Sequence, residues 1–457
     1  MFLQTFKSIS IKINSTQQYL MNIKVCYDIT ILGTYFSYSD SKTGIYRVVE
    51  EVLLELLQKE EIKITLTSLC SQDPALSAIN CPLYIQHKLR DYSCEFENTF
   101  KSKLRLEWLY DTIFKIYFSK DFQLLPKYSL KSIPIRGVLK LIEITKLHIY
   151  DRYQYFDSEN HDIFHSTYHK LPSIELTHNL PRLLTIYDLI PIKYPKYVNP
   201  SLTNYFRGIL NSVNIKDDWV SCISEYTRQE FCEYTGMSLE KVFVCPLAAD
   251  KQFYPITNFE IIRETNKNYN IPENQYFLCL ASHLDPRKNI PHLINSFVSL
   301  ITEHPNLDIN LVLIGTTRYK RPDIEQTLQK IAQYKDRIII TGYVPDEDLS
   351  AIYSGATAFV FPSLYEGFGL PILEAMQCGT PVISSNSTSL PEVVGDAGIL
   401  VDPKDQDQLC QAMLDILTDE SLRENLKHKG LERAKQFSWE KCANETVEIY
   451  KKIIASK

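Results

Sequence analysis

The chain has 457 residues, of which 44% are hydrophobic and 23% charged, a make-up that suits a globular protein with material for two or three full cores. A mild net charge of −6 argues against nucleic acid as a main partner. The 11 cysteines stand singly, without C-x-x-C or paired histidines, so neither a disulfide framework nor a structural zinc site is expected and a reducing compartment fits. No segment is long and apolar enough to predict a membrane span. Residues 1–20 lack the apolar core of a secretion signal and are taken as an N-terminal extension, with a cytoplasmic location expected.

Ile23 to Thr30 alternates and is rich in β-branched residues, which predicts a first strand. A polar loop follows. Gly44 then opens an amphipathic helix with Val48, Val49, Val52, Leu53 and Leu56 on its apolar face. Strand, glycine loop and helix make the opening unit of a doubly wound domain. Arg47 is either a cleft residue or a solvated helix residue.

Residues 85–155 are predicted to be a helical, aromatic insertion. From Lys101 to Tyr150 there are ten Lys/Arg against four Asp/Glu. Such a stretch can lie on an anionic membrane surface or simply carry solvated lysines. The α/β pattern resumes with strands ending at Ser166 and Tyr187. Ligands in open parallel sheets bind beyond the carboxyl ends of strands, so His165, Tyr187 and Asp188 are expected to face a cleft; a structural role for His165 is the alternative. Trp219 to Ile223 predicts a further strand, with Ser224 as N-cap of the helix after it. Lys241 to Cys245 predicts the last strand of this half, and a polar run after Phe253-Tyr254-Pro255 marks the link between halves.

In the second half, Tyr276 to Ala281, Leu311 to Gly315 and Arg337 to Thr341 are predicted strands. Arg287 and Lys288 precede a helix start, where a point charge and a planar fork suit a diphosphate, a simply solvated surface pair being the alternative. The stretch with the most chemistry is Phe361 to Gly379, FPSLYEGFGLPILEAMQCG. An apolar strand, Ala356 to Phe361, leads into Gly367 and Gly369, which permit a tight turn. Pro371 suits the first turn of a helix, and Gly379 with Pro381 ends it. The start of such a helix attracts anions. Glu366 and Glu374 flank the turn.

The Glu-x7-Glu spacing, the two glycines and Leu370-Pro371 together resemble the donor-site signature of the family 4 retaining glycosyltransferases, which have the GT-B fold. The resemblance is nearly continuous from about 276 to 440 and patchy before that. It implies an α/β architecture of two Rossmann-like doubly wound domains facing an interdomain cleft. Residues 21–255 would form the acceptor-side domain, 256–435 the nucleotide-sugar domain, and 436–457 a terminal helix crossing back to the first. It also implies a donor site of Gly44, Arg287, Lys288, Gly342, Tyr343, Val344, Glu366, Gly367, Phe368, Gly369, Leu370 and Glu374, with backbone at 342–344 near the nucleobase. Glu374 would hold the ribose. Glu366, His165, Tyr187 and Asp188 would make up the reacting centre.

The chain departs from the family pattern at Tyr187, where relatives often have His, and at Ser282, where they usually have Gly. The implied activity is metal-independent transfer of a hexosyl group, GDP-mannose being one candidate donor, to an acceptor hydroxyl of a glycan, lipid-linked or small-molecule acceptor. No cofactor is implied beyond the nucleoside-diphosphate sugar, and peripheral contact with the inner membrane surface is one expectation. A nucleotide-sugar 2-epimerase shares this architecture. A non-catalytic nucleotide-sugar-binding partner of another glycosyltransferase is a third reading.

Overall fold

The computed structural model describes residues 22–36, 44–70, 74–97, 100–102, 116, 133–134, 137–138, 150–152, 156–281, 285–315 and 322–456. The expected N-terminal extension, Ser282 and most of the 85–155 insertion lie outside them.

Two parallel sheets organise the chain. The first contains β1 (Ile23–Asp28), β2 (Ile62–Thr67), β3 (Glu95–Glu97), β6 (Ile163–Ser166), β7 (Arg182–Ile186), β8 (Trp219–Cys222) and β9 (Val242–Val244), while β4 (Phe100–Ser102) and β5 (Tyr150–Arg152) form a separate antiparallel pair. Its order is β3-β2-β1-β6-β7-β8-β9. The second contains β10 (Gln275–Leu280), β11 (Ile309–Ile314), β12 (Ile338–Gly342), β13 (Ala358–Phe361), β14 (Val382–Ser385) and β15 (Ile399–Val401), in the order β12-β11-β10-β13-β14-β15. In both, the strand order reverses beside the first strand of the half, the kind of switch point at which α/β sheets open a binding crevice.

Alternation places Val25 and Tyr27 in one core, beneath the helix Ile45–Leu56, and Cys26 in another on the opposite face of the sheet. Val48, Val49, Val52, Leu53 and Leu56 of that helix are all buried, as its periodicity predicts. The loop expected after β1 is different. A short helix, Thr30–Phe36, starts almost at once. Asp28 accepts from the Thr30 backbone N–H at 3.1 Å and from its hydroxyl at 3.0 Å, while Ile31 and Leu32 enter the core. The local carboxylate supplies the N-terminal partner that the polar sequence had concealed.

A buried ion pair anchors the middle of the first sheet. Arg182, at the start of β7, donates to Asp218 from Nε at 2.7 Å and from Nη2 at 2.6 Å. The bidentate geometry satisfies both groups away from water. The last helix, Trp439–Ala455, packs against the helix Ile45–Leu56 of the first half.

Candidate active site

The two halves meet at the turn after β13. Gly367 has an ordinary backbone conformation, yet a Cβ there would lie 2.3 Å from the Tyr187 carbonyl oxygen and 2.9 Å from the Asp188 Cβ. Glycine is required by the close approach of one half to the other. Gly369 is required by conformation: its φ of 131° is open to glycine alone, and it leads into the helix Leu370–Gln377 with Pro371 in the first turn. Gly379, with a φ of 74°, follows the end of that helix.

Hydroxyls hold this turn. Ser389 donates to the carbonyls of Glu366 and Phe368, each at 2.9 Å. From the first half, Ser224 donates to the Gly367 carbonyl at 2.9 Å and also caps the helix Glu225–Thr235, as expected from sequence. Phe368 is buried and packs edge-on against Phe437, while Leu370 is half-buried.

Two cations come from the segment after β10. Lys288 Nζ lies 2.7 Å from Glu366 Oε1 and 4.4 Å from the centre of the Phe361 ring. Glu366 Oε1 also accepts from Ser363 at 2.6 Å. The ammonium is therefore fixed between a carboxylate and an aromatic face. Arg287 is held by Asp285, to which Nε donates at 3.0 Å, and by the Tyr365 carbonyl at 3.1 Å. It lines a cavity of about 210 Å³ with Ile45, Tyr168, Tyr187 and Asp188.

Asp188 accepts from the Ile190 backbone N–H at 2.8 Å. Burial pushes its carboxyl up to about 6, opposed by that hydrogen bond and by Arg287, while Glu366 and Glu230 add to the rise. An acid so placed titrates near neutral pH.

Glu374 is buried inside the helix that follows the turn. One oxygen accepts from the Tyr353 hydroxyl at 3.0 Å, and the other lies 3.9 Å from Arg47. Arg47 reaches across from the first half and also pairs with Asp346. It is buried, so it is not a solvated helix residue. Burial pushes the Glu374 carboxyl up to about 7, against the opposing effects of Arg47 and the Tyr353 hydrogen bond.

Gly44 has a φ of 66° at the start of the helix bearing Arg47, with open space where a Cβ would stand. Gly342 has a φ of 78° and accepts at its carbonyl from the Gly315 N–H at 3.0 Å. Tyr343 is 59% exposed, whereas Val344 is buried.

His165 departs from expectation. It is buried and lines a small cavity of about 30 Å³: Nδ1 meets the Tyr450 hydroxyl at 2.7 Å, and Nε2 meets that of Thr185 at 2.8 Å. Burial lowers its imidazole to about 3, so the ring is neutral at physiological pH. Its neighbours make it a tie between β6 and the terminal helix. Tyr187 is also buried, and lines both the 210 Å³ cavity and a smaller one of about 30 Å³ beside His165.

Several contacts had no sequence signal. Glu392 of the second half accepts from the backbone N–H groups of Glu225 at 2.8 Å and Tyr226 at 2.7 Å, capping a helix of the first. Tyr365 donates to Glu230 across the same seam. These partners lie well over a hundred residues apart, and no local spacing joins them.

Two parallel α/β halves, with a glycine turn, paired cations and buried carboxylates where they meet, are the architecture of a GT-B glycosyltransferase. The Glycosyl transferases group 1 family matches residues 261–433. The chain is 36% identical over 281 residues to the O-antigen chain mannosyltransferase B of Escherichia coli, a match covering 61% of this chain and 73% of that one. It is 33% identical over 276 residues to the serotype-specific mannosyltransferase WbdA of Escherichia coli, covering 59% of this chain and only 33% of that longer protein. A glycosyltransferase structure from Rickettsia africae superposes over 95% of this chain and 100% of its own, with a TM-score of 0.59 at 16% identity. The chain belongs to the group 1 glycosyl transferases. Among the described residues no helix is long and apolar enough to cross a membrane.

Proposed function

We propose that the chain is a retaining transferase of the family 4 type that moves a mannosyl group from a nucleoside-diphosphate sugar, GDP-mannose as first candidate, to an acceptor hydroxyl in polysaccharide biosynthesis. The observation that carries this reading is the seating of Lys288 and Arg287 beside the glycine turn that precedes Leu370–Gln377. Separation of a diphosphate from a sugar needs positive groups fixed where charge develops. Lys288, Arg287 and the start of that helix are such groups, already oriented by Glu366 and Asp285, so little reorganisation is required as the bond breaks.

In this reading Glu374 accepts hydrogen bonds from the ribose hydroxyls, the backbone at Gly342 to Val344 lies along the base, and Gly44 gives the phosphates room near the first half. Glu366 and the backbone of the turn hold the sugar. The acceptor enters through the cavity lined by Tyr187, Asp188 and Arg287, and its hydroxyl attacks from the face that the diphosphate leaves, with configuration retained. The mannosyl choice rests on the names of the two Escherichia coli relatives. The basic stretch Lys101 to Tyr150 is the candidate for contact with an anionic inner membrane surface. Glu374→Ala and Lys288→Ala, assayed with labelled sugar donors, test the reading. Both are expected to lose turnover, and unchanged turnover in both removes it.

A further inference from the structure

We propose that Cys26, Glu97 and His161 form a zinc-type divalent cation site in the first half, on the sheet face turned away from the helix Ile45–Leu56. Their ligand atoms all lie within 4.8 Å of one another. They come from β1, from the end of β3 and from the turn before β6, so chain distance hides them in the sequence. A thiol, an imidazole and a carboxylate are the donor set that favours zinc over magnesium or calcium. On a tetrahedral ion, neighbouring ligand atoms stand about 3.5 Å apart, so closure asks for a contraction of about 1 Å.

Two independent features point to a ligand. The first is Glu97 Oε2, which is buried and has no hydrogen-bond partner among the described residues. A buried carboxylate oxygen left unsatisfied calls for a cation or a donor. The second is the orientation of the ligands by a single residue. The backbone N–H of Asp157 donates to Glu97 Oε1 at 3.0 Å, and its carbonyl lies 2.6 Å from His161 Nδ1. A carbonyl can only accept, so Nδ1 donates, and the neutral ring then offers its lone pair at Nε2. That is the outer-shell arrangement by which metal-binding histidines are fixed. Phe156 stacks on the His161 ring at 5.6 Å and sets its plane.

Cys26 is fully buried, and burial first, with Glu97 and Asp28 after it, holds its thiol well above the usual range. Binding of Zn²⁺ replaces the thiol proton, which leaves to solvent, and brings a positive charge to the unpaired carboxylate. The three ligands found among the described residues leave a fourth position for water. Metal would tie the edge strand β3, which pairs with β2 over only three residues, to the centre of the sheet.

The test uses the full chain. Purified protein is loaded with Zn²⁺, dialysed against a weak chelator and analysed for metal. A parallel sample takes Co²⁺, whose thiolate charge-transfer band reports cysteine ligation. The expected result is zinc at about one equivalent, a rise in melting temperature with zinc, and a cobalt thiolate band that Cys26→Ser abolishes. Glu97→Gln can still accept from the Asp157 N–H, so it keeps the fold while removing the charged ligand, and it is expected to weaken retention at least tenfold. Absence of retained zinc in the wild type overturns the proposal. So does retention at the wild-type level in both folded variants.

Discussion

At Glu374, burial and neighbouring charge act in opposite directions, and burial wins. Its carboxyl stands near 7 in the folded chain against an ordinary 4.5. Between those values the folded protein keeps a proton that the unfolded chain has released. Stability therefore falls as pH rises through that window and levels off above it. Glu374→Gln retains the shape and removes the titration. The variant is expected to gain on the wild type by up to about 3 kcal/mol between about pH 5 and about pH 8. Denaturant unfolding at the two pH values measures this, and a difference that does not change with pH contradicts it. The sequence showed that Glu374 sits a turn inside a helix. Its pairing with Arg47 and Tyr353 needed the halves to be brought together.

The glycine turn and the terminal helix each make a prediction of their own. Gly367→Ala would drive a methyl group into the Tyr187 carbonyl, 2.3 Å away, and must push the halves apart. Each half should keep its fold while transfer falls by about 10²-fold, because the reacting groups lose register. Normal kinetics in that variant would show that the seam is not the working geometry. Tyr450→Phe removes the hydroxyl that His165 Nδ1 meets at 2.7 Å, and should cost about 1–3 kcal/mol of stability in thermal unfolding. A neutral effect would mean that the terminal helix is held without this bond. The strand–turn–helix at 358–379 was legible because glycine and proline mark its bends and its apolar run is unbroken. The helix Thr30–Phe36 was not, since its start depends on the carboxylate of Asp28. His165 was read from its strand-end position and from the family resemblance, and neither says which cavity a side chain enters.

On the scale of the whole molecule, most strands of the two sheets were legible from their patterns, but β2 and β3 were not, β3 falling within the stretch expected to be helical, and the seam between the sheets was not. Ser224 illustrates the divide: its capping role follows from the residues after it, but its bond to Gly367 carbonyl joins positions 143 apart. Glu392 is a second case. Glu392→Ala uncaps the helix Glu225–Thr235 and loosens the seam, with an expected loss of about 1 kcal/mol and a weaker donor affinity. Thermal shift with a nucleoside diphosphate checks both, and a full wild-type shift in the variant would separate the cap from the site. The measurement that bears most directly on the account is the rate at which labelled hexose leaves a nucleoside-diphosphate donor in Lys288→Ala. With the fold intact, kcat is predicted to drop by about 10²–10³-fold, the loss of one fixed charge beside the departing diphosphate. A folded Lys288→Ala protein that turns over at the wild-type rate would contradict it.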